Sequence, residues 1–300
     1  MSATTTLPGE IGELAAESIR EMVSRATNNA SIATYAGGVA PLSWETLADG
    51  GWDQIGVIED GEGASLRDLV EIARAWGESC IQLPLLPTIM AKRHSAAARE
   101  VAGPVTIAIP SATRTDGTCF VPYGQFDGIV LATGLDAGTD AVVQVPDGIP
   151  DDFDILMRGI QAHVRTDMSM EAAREIGVVS AAEASGAAKK LLNDGIAFAK
   201  EREQFGKPIG SFQAVKHHLA NALVNAELAE TAVIWSSLQQ HQGFRGALFA
   251  IDRSIEVGEL VMQVHGGLGF TWEMGLHFYL RRMLVARELV SGLSSEYKGV

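Results

Sequence analysis

The chain has 300 residues, 47% of them hydrophobic and 20% charged, with a formal net charge of −14. That length supports one large domain or a few small ones around a shared core, and the hydrophobic share excludes a disordered chain. The acidic balance repels phosphate backbones, so nucleic acid is excluded as a partner class while a local basic patch for an anionic ligand stays open.

The first zone, residues 1–100, reads as a helical domain. Ile11 to Arg25 places Ile11, Leu14, Ala15, Ile19, Met22 and Val23 on one helical face. Trp44 to Gly51 reads as a short helix closed by Gly50 and Gly51 with a left-handed cap. Leu66 to Trp76 follows as a helix with Gly77 as its stop, and Pro84 and Pro87 mark a loop or helix start before Met90. The second zone, residues 101–150, changes to short β-type runs at Val105–Ile109, Gly128–Ala132 and Asp140–Val145, with Pro146 to Pro150 as a linker. The third zone, residues 151–300, is helical: Met170–Lys200, Phe212–Gln240, Arg245–His265 and Leu276–Leu289, with Gly266-Gly267 ending the third of these helices. Long amphipathic helices joined by short loops predict an antiparallel four-helix bundle. The fold class expected is therefore mainly α with a small, truncated β middle domain between an N-terminal helical domain and a C-terminal bundle.

Several absences narrow the function. No GxGxxG or P-loop string occurs, and the order of elements is not a βαβ alternation, so a dinucleotide must be held by other means. The two cysteines, Cys80 and Cys119, make no disulfide framework and no zinc spacing, which fits a reducing cytoplasm. His163, His217, His218, His241, His265 and His277 also lack metal spacing and read as ordinary surface or core residues, so no metal is expected. Residues 1–10 lack the pattern of a signal peptide, and no apolar run approaches the roughly 20 residues that span a bilayer.

Chemistry concentrates in Glu201–Gln213, EREQFGKPIGSFQ. A helix should end near Glu203, Gly206 and Gly210 break it, Pro208 sets the turn, and Ser211 is placed to cap the next helix. Arg202 then lies at a helix end beside a tight loop, where a guanidinium and loop N–H groups suit a pyrophosphate oxygen, and Phe205 offers a flat face to a ring. The plainer reading is a helix connection whose arginine pairs with a carboxylate. Downstream, Gln263 precedes Gly266 and Gly267, which lack a Cβ and let a ligand approach the backbone, or simply cap a helix.

Taken together these strings resemble the acyl-CoA dehydrogenase family. Arg202, Phe205, Gly206, Phe212 and Gln213 match its R-x-x-F-G loop and following helix start. Gln263, Gly266, Gly267, Gly269 and Phe270 match its Q-x-x-G-G-x-G-[FY] turn, and Glu273 with Arg281-Arg282 echoes the trailing E…R-D pattern, with Arg282 in place of the acid. Trp44, Leu47, Gly51 and Trp52, followed by the acidic glycine run Glu59 to Gly63, look like its N-terminal stretch. The resemblance implies FAD at a subunit interface, touched here by Arg202, Gln204, Phe205, Ile209, Phe212, Gln213, Gln263, Gly266 and Gly267.

The resemblance also implies a catalytic glutamate that removes the α-proton of an acyl-CoA while the flavin takes hydride from the β-carbon. Counting the family's distance on from Gly266 lands on Val290, and Glu288 is two residues out of register. The alternative family position falls on Ile176, next to Glu175; Glu175 and Glu171 are weak candidates that read as solvated surface charges. The middle zone is too short for the family's full ring-binding stretch, of which Pro110–Thr113 is a remnant. Both losses fall on one side of a dimeric site. The expectation is a cytoplasmic subunit, inactive alone, of an α2β2 hetero-oligomer in lipid metabolism. A full-length paralogue supplies the ring pocket and base, this chain completes the partner's FAD, and the complex desaturates a bulky acyl-CoA of the kind met in actinobacterial steroid catabolism. Two alternatives stay open: a catalytically silent structural or regulatory partner of the same fold, and a flavin monooxygenase-like relative.

Overall fold

The computed structural model describes residues 7–28, 30–114, 116–239 and 243–297. His241 and the expected helix end at Gln240 lie outside the described residues. The N-terminal zone contains α1 (Glu10–Thr27), α2 (Ile32–Tyr35), α3 (Trp44–Asp49), α4 (Leu66–Gly77), α5 (Leu85–His94) and α6 (Ala96–Arg99). Ser65 and Asp68 form a reciprocal capping box at the start of α4. The Asp68 carboxylate also accepts from the backbone N–H of Gly9 and Gly12, tying the first turn of α1 to that of α4. Gly51 takes the expected left-handed conformation after α3.

Gly77 is the last residue of α4, as expected of it, and it is also a contact: a Cβ there would sit 2.0 Å from the carbonyl oxygen of Glu183. Gly186 mirrors it, with a built Cβ 1.9 Å from the carbonyl of Arg74. Two glycines thus set the close crossing of α4 on the next long helix, α7 (Met170–Glu201).

The middle zone forms two small sheets. β1 (Val105–Ile107), β4 (Val130–Thr133) and β5 (Ala141–Gln144) make one, in the order β1-β4-β5. β2 (Ile109–Pro110), β3 (Thr118–Val121), β7 (Gly159–His163) and β6 (Ile149–Asp151) make the other, all antiparallel. The zone therefore runs past residue 150, because Pro146 to Pro150 is more than a linker. Ile149–Asp151 pairs with Gly159–Ile160–Gln161, and Pro150 is tolerated because β6 is an edge strand whose missing N–H costs no central ladder bond. Between the sheets Ala108, Cys119, Val121, Leu131, Ile160 and Ala162 close a small core.

Four long helices make the C-terminal bundle: α7, α8 (Gln213–Leu238), α9 (Gly243–His265) and α10 (Leu276–Glu296). Ser169 caps α7 by accepting from the N–H of Ala172 at 3.0 Å. α7 is buried along most of its length and touches α4, α8, α9 and α10, so it is the axis of the molecule. α10 continues through Ser291-Gly292, beyond the Leu289 end expected of it. Gly292 survives in mid-helix because α10 lies on β2, where a Cβ would meet the carbonyl of Pro110 at 1.9 Å.

Buried ion pairs tie the zones together. The fully buried Arg282 guanidinium donates to Asp154 at 2.5 Å and Glu183 at 2.7 Å, which joins α10, the β zone and α7. Lys92 donates to Asp53 at 2.5 Å beneath α3. Charges this deep persist only when paired. No helix among the described residues is long and apolar enough to cross a membrane.

Candidate cofactor-contact site at one end of the bundle

α7 ends at Glu201, two residues before the expected Glu203. The N–H of Arg202 caps it by donating to the Phe198 carbonyl at 2.8 Å. The next residues form a tight hairpin, with β8 (Glu203–Gln204) against β9 (Lys207–Pro208). Its turn residues Phe205 and Gly206 have φ of 54° and 77°, the paired left-handed geometry of a two-residue hairpin. The Ile209 N–H donates to the Arg202 carbonyl at 2.8 Å and closes the loop. Gly210 lies flat on α7, where a Cβ would stand 2.9 Å from the Ala199 carbonyl. Ser211 is not the cap of α8: it lies in a 3-10 turn, Ile209–Ser211, and Phe212 takes the cap position with no side-chain hydrogen bond. The first turn of α8 therefore keeps its N–H groups free of a side-chain acceptor, the arrangement that suits an anion.

The loop is locked at its base and open at its tip. Phe205 is 92% exposed, its ring edge-on to Phe212 at 6.1 Å, and the Lys207 ammonium stands 4.4 Å over the Phe212 ring. Arg202 is exposed and has no ion-pair partner among the described residues. Gln204 and Gln213 are exposed, and Ile209 and Phe212 are half-buried beneath them.

The second motif arrives at the same end. α9 finishes at His265, and the His265 ring stacks on Phe198 with centroids 4.1 Å apart, one turn before Arg202. Gln263 is exposed on the last turn of α9. Gly266 is left-handed at φ 61°, and neither Gly266 nor Gly267 has an atom within 4 Å of a built Cβ. The glycines are thus a helix terminus and an open cradle at once. Phe270, 73% exposed, follows in the 3-10 turn Gly266–Phe270. Arg202 and Lys207 supply positive charge, the glycines close approach, and the aromatic rings flat surface.

The candidate bases lie elsewhere and are not brought together. Val290 is fully buried on α10, facing Gly177 of α7. Glu288 is exposed and lines a cleft of about 450 Å³ between α10 and β2–β3, alongside Ser111, Thr113 and Arg114. Glu171 is exposed. Glu175 is not a surface charge: it is buried, 2.6 Å from Arg93 Nε and 3.2 Å from His94 Nε2. Burial alone would raise its carboxyl, but the neighbouring His94 and the Arg93 guanidinium outweigh that and hold it at about 2. A carboxylate so firmly ionised is a poor proton acceptor.

Three buried groupings had no local signature: Arg93–Glu175–His94, which reaches the exposed Asp136 through His94, Arg282–Asp154–Glu183, and Lys92–Asp53. The only hint was Arg282 standing where the resembling pattern has an acid; its partners are 128 and 99 residues away. Where the three zones meet, Trp76, Met90, Ile107, Tyr123 and Met157 leave a space of about 40 Å³, far below the roughly 300 Å³ of a small-molecule site.

Comparison with known proteins adds the following. The family model described as "Acyl-CoA dehydrogenase, C-terminal domain" matches residues 168–290. The acyl-CoA dehydrogenase FadE34 of Mycobacterium tuberculosis is 44% identical over 113 residues, 35% of this chain and 16% of that protein. The chain thus matches only a small part of that relative's length. Among solved structures, the ChsE4-ChsE5 complex from Mycobacterium tuberculosis aligns with a TM-score of 0.73 at 17% identity, covering 97% of this chain and 96% of that one. A Tcur3481-Tcur3483 steroid ACAD variant aligns with a TM-score of 0.69 at 20% identity, covering 96% and 94%. At those identities the structural likeness carries the fold alone.

Proposed function

From the match of residues 168–290 to the acyl-CoA dehydrogenase C-terminal domain and the fold around it, we propose that this chain is a member of that family and the subunit lacking the base in a heteromeric, FAD-dependent acyl-CoA dehydrogenase. Its bundle end completes a cofactor site whose ring pocket and catalytic carboxylate belong to a full-length paralogue. The observation that carries this is an asymmetry. One end of the bundle presents Arg202, without an ion-pair partner among the described residues, and the open Gly266-Gly267 turn to a neighbour, while the base position holds a fully buried Val290.

The family's cofactor is FAD. When bound, it supplies the hydride acceptor. This chain's part is to bind and orient. Arg202, assisted by the first turn of α8, holds the pyrophosphate; Gln263, Gly266 and Gly267 receive the adenosine side; Gln204, Phe205, Ile209, Phe212 and Gln213 shape the floor. The proton is taken by the partner, since Val290 carries no acceptor and Glu175 is already held by Arg93. The likeness to two-component structures, one of them a steroid acyl-CoA dehydrogenase, supports an α2β2 assembly acting on a bulky, steroid-type acyl-CoA.

The test is co-purification with a full-length paralogue, reading subunit ratio and bound FAD. One FAD per unlike pair is the expected result. One FAD per chain, or FAD reduced by acyl-CoA with this chain alone, would overturn the reading.

A further inference from the structure

α8 packs the wrong way round for a surface helix. The residues it buries are small: Ala222, Ala226, Ala229, Val233 and Ser236. Its larger apolar side chains point outward. Val224 is 58% exposed, Leu228 42% and Trp235 39%, and Phe249 of the adjacent α9 is 46% exposed. A helix at a protein surface ordinarily buries its apolar stripe and turns its polar residues to water.

The outward residues are ordered. His217, Asn221, Val224, Leu228, Thr231 and Trp235 follow at steps of four, three, four, three and four, and all six are exposed. That is the spacing of a helix-packing seam, running for about 27 Å along the helix. The seam holds no Asp, Glu, Lys or Arg. Charges on its flanks are paired within the chain, Glu227 with Lys189 at 3.3 Å and Glu230 with Arg74 at 2.6 Å. Beside it an apolar groove of about 440 Å³ opens between α8 and α9, lined by Leu228, Ala232, Trp235, Arg245 and Phe249.

We propose that this face is a contact between two copies of this chain, with α8 crossing α8 about a two-fold axis. A two-fold contact must be complementary to itself, and this patch carries ridge and groove together, Val224 standing three turns along α8 from Trp235 in the groove. Charge points the same way. A chain of net charge −14 repels its own copy wherever acidic surfaces meet, and this face has no net acidic charge to do so. A lipid surface would call instead for a rim rich in Lys and Arg. Asn221 and Thr231 are polar positions within the seam, of the kind that set register between paired helices. One further point rests on the α2β2 reading above: the loop site takes the unlike chain, which leaves two such pairs to be joined through a face that meets its own copy.

The test is sedimentation equilibrium of the full chain by itself, without cofactor. A dimer with a micromolar Kd is expected. Leu228→Glu should raise that Kd by about a hundredfold, because each new carboxylate faces an apolar seam with no partner. Thr231→Arg, at a second exposed seam position, should do the same and decides the matter should Leu228→Glu fail to fold, which far-UV circular dichroism reads. Leu14→Glu, on the exposed face of α1, should leave the dimer intact. A wild-type chain still monomeric at about 100 μM, seam variants that are folded and dimerise as before, or an equal loss in Leu14→Glu would each overturn the proposal. Co-purification with the full-length paralogue separates the two readings. Leu228→Glu should give one unlike pair that keeps its FAD. Loss of the paralogue in that variant would assign the face to the unlike chain and overturn the proposal. A wild-type chain that dimerises but never binds a paralogue would overturn the functional reading and leave this one standing.

Discussion

Arg202 and Glu175 show how far residue type falls short of role. Both are charged residues of α7 or its cap, yet one is exposed with no ion-pair partner among the described residues and the other is buried between Arg93 and His94. Removing the exposed Arg202 side chain should change the chain's stability little, because it has no ion pair or hydrogen bond among the described residues. It should cost the assembled complex about 1.5–3 kcal/mol of FAD affinity, the worth of a charge-assisted hydrogen bond, and cofactor retention after gel filtration measures it. Glu175→Gln has the opposite profile. Breaking a buried pair costs about 3–5 kcal/mol, read as a lower urea midpoint. Because the folded carboxyl is held at about 2, below its unfolded value near 4.3, its contribution is present above that unfolded value and fades as pH falls toward 2. The gap between wild type and Glu175→Gln should therefore narrow on acidification through that window. Val290→Glu tests the base position: a fully buried valine replaced by an ionisable group should yield a destabilised chain, not a dehydrogenase. Acyl-CoA oxidation by a stable Val290→Glu protein would show that this position opens onto substrate.

At the scale of elements, close backbone approach decides the geometry more than hydrophobic pattern does. The crossing of α4 on α7 rests on Gly77 and Gly186, each with the opposite helix's carbonyl within 2.0 Å of a built Cβ. Gly186→Ala improves helix propensity by about 1 kcal/mol but overpacks the crossing at a cost of roughly 1–3 kcal/mol or more. A net fall in the unfolding midpoint is expected, while Gly38→Ala, with open space around it, leaves the midpoint in place. The same logic explains Gly292 against Pro110. A glycine within a helical pattern invites reading as a stop, and only the neighbouring element shows that it is a contact.

The whole molecule is arranged around α7. Its N-terminal half carries the buried Glu175 network, its middle the Arg282–Glu183–Asp154 tie, and its C-terminal end the Phe198–His265 stack that brings two loops to one face. The interior meeting point of the three zones is nearly full, while the bundle end is open. This chain purified alone should therefore carry well under one FAD per chain, and gain cofactor only with its partner; absorbance of the flavin against protein measures the ratio.

Local pattern was enough for the helices, the order of zones and the two loop motifs. Amphipathic spacing, cap residues and the R-x-x-F-G and Q-x-x-G-G strings act within a few turns of chain, where sequence neighbours are spatial neighbours. The tight loop after α7, the left-handed Gly51 and the helix end at Gly266 were legible for the same reason, although the turn of the loop falls at Phe205-Gly206 and not at Pro208, which pairs in β9. Tertiary structure alone decided the burial of Glu175 and Val290, the ion pairs of Arg282, the second sheet running to His163, and the roles of Gly77 and Gly292. Each depends on a partner from a distant part of the chain, and whether a charge is solvated or paired, or a glycine is an end or a contact, is set by what packs against it.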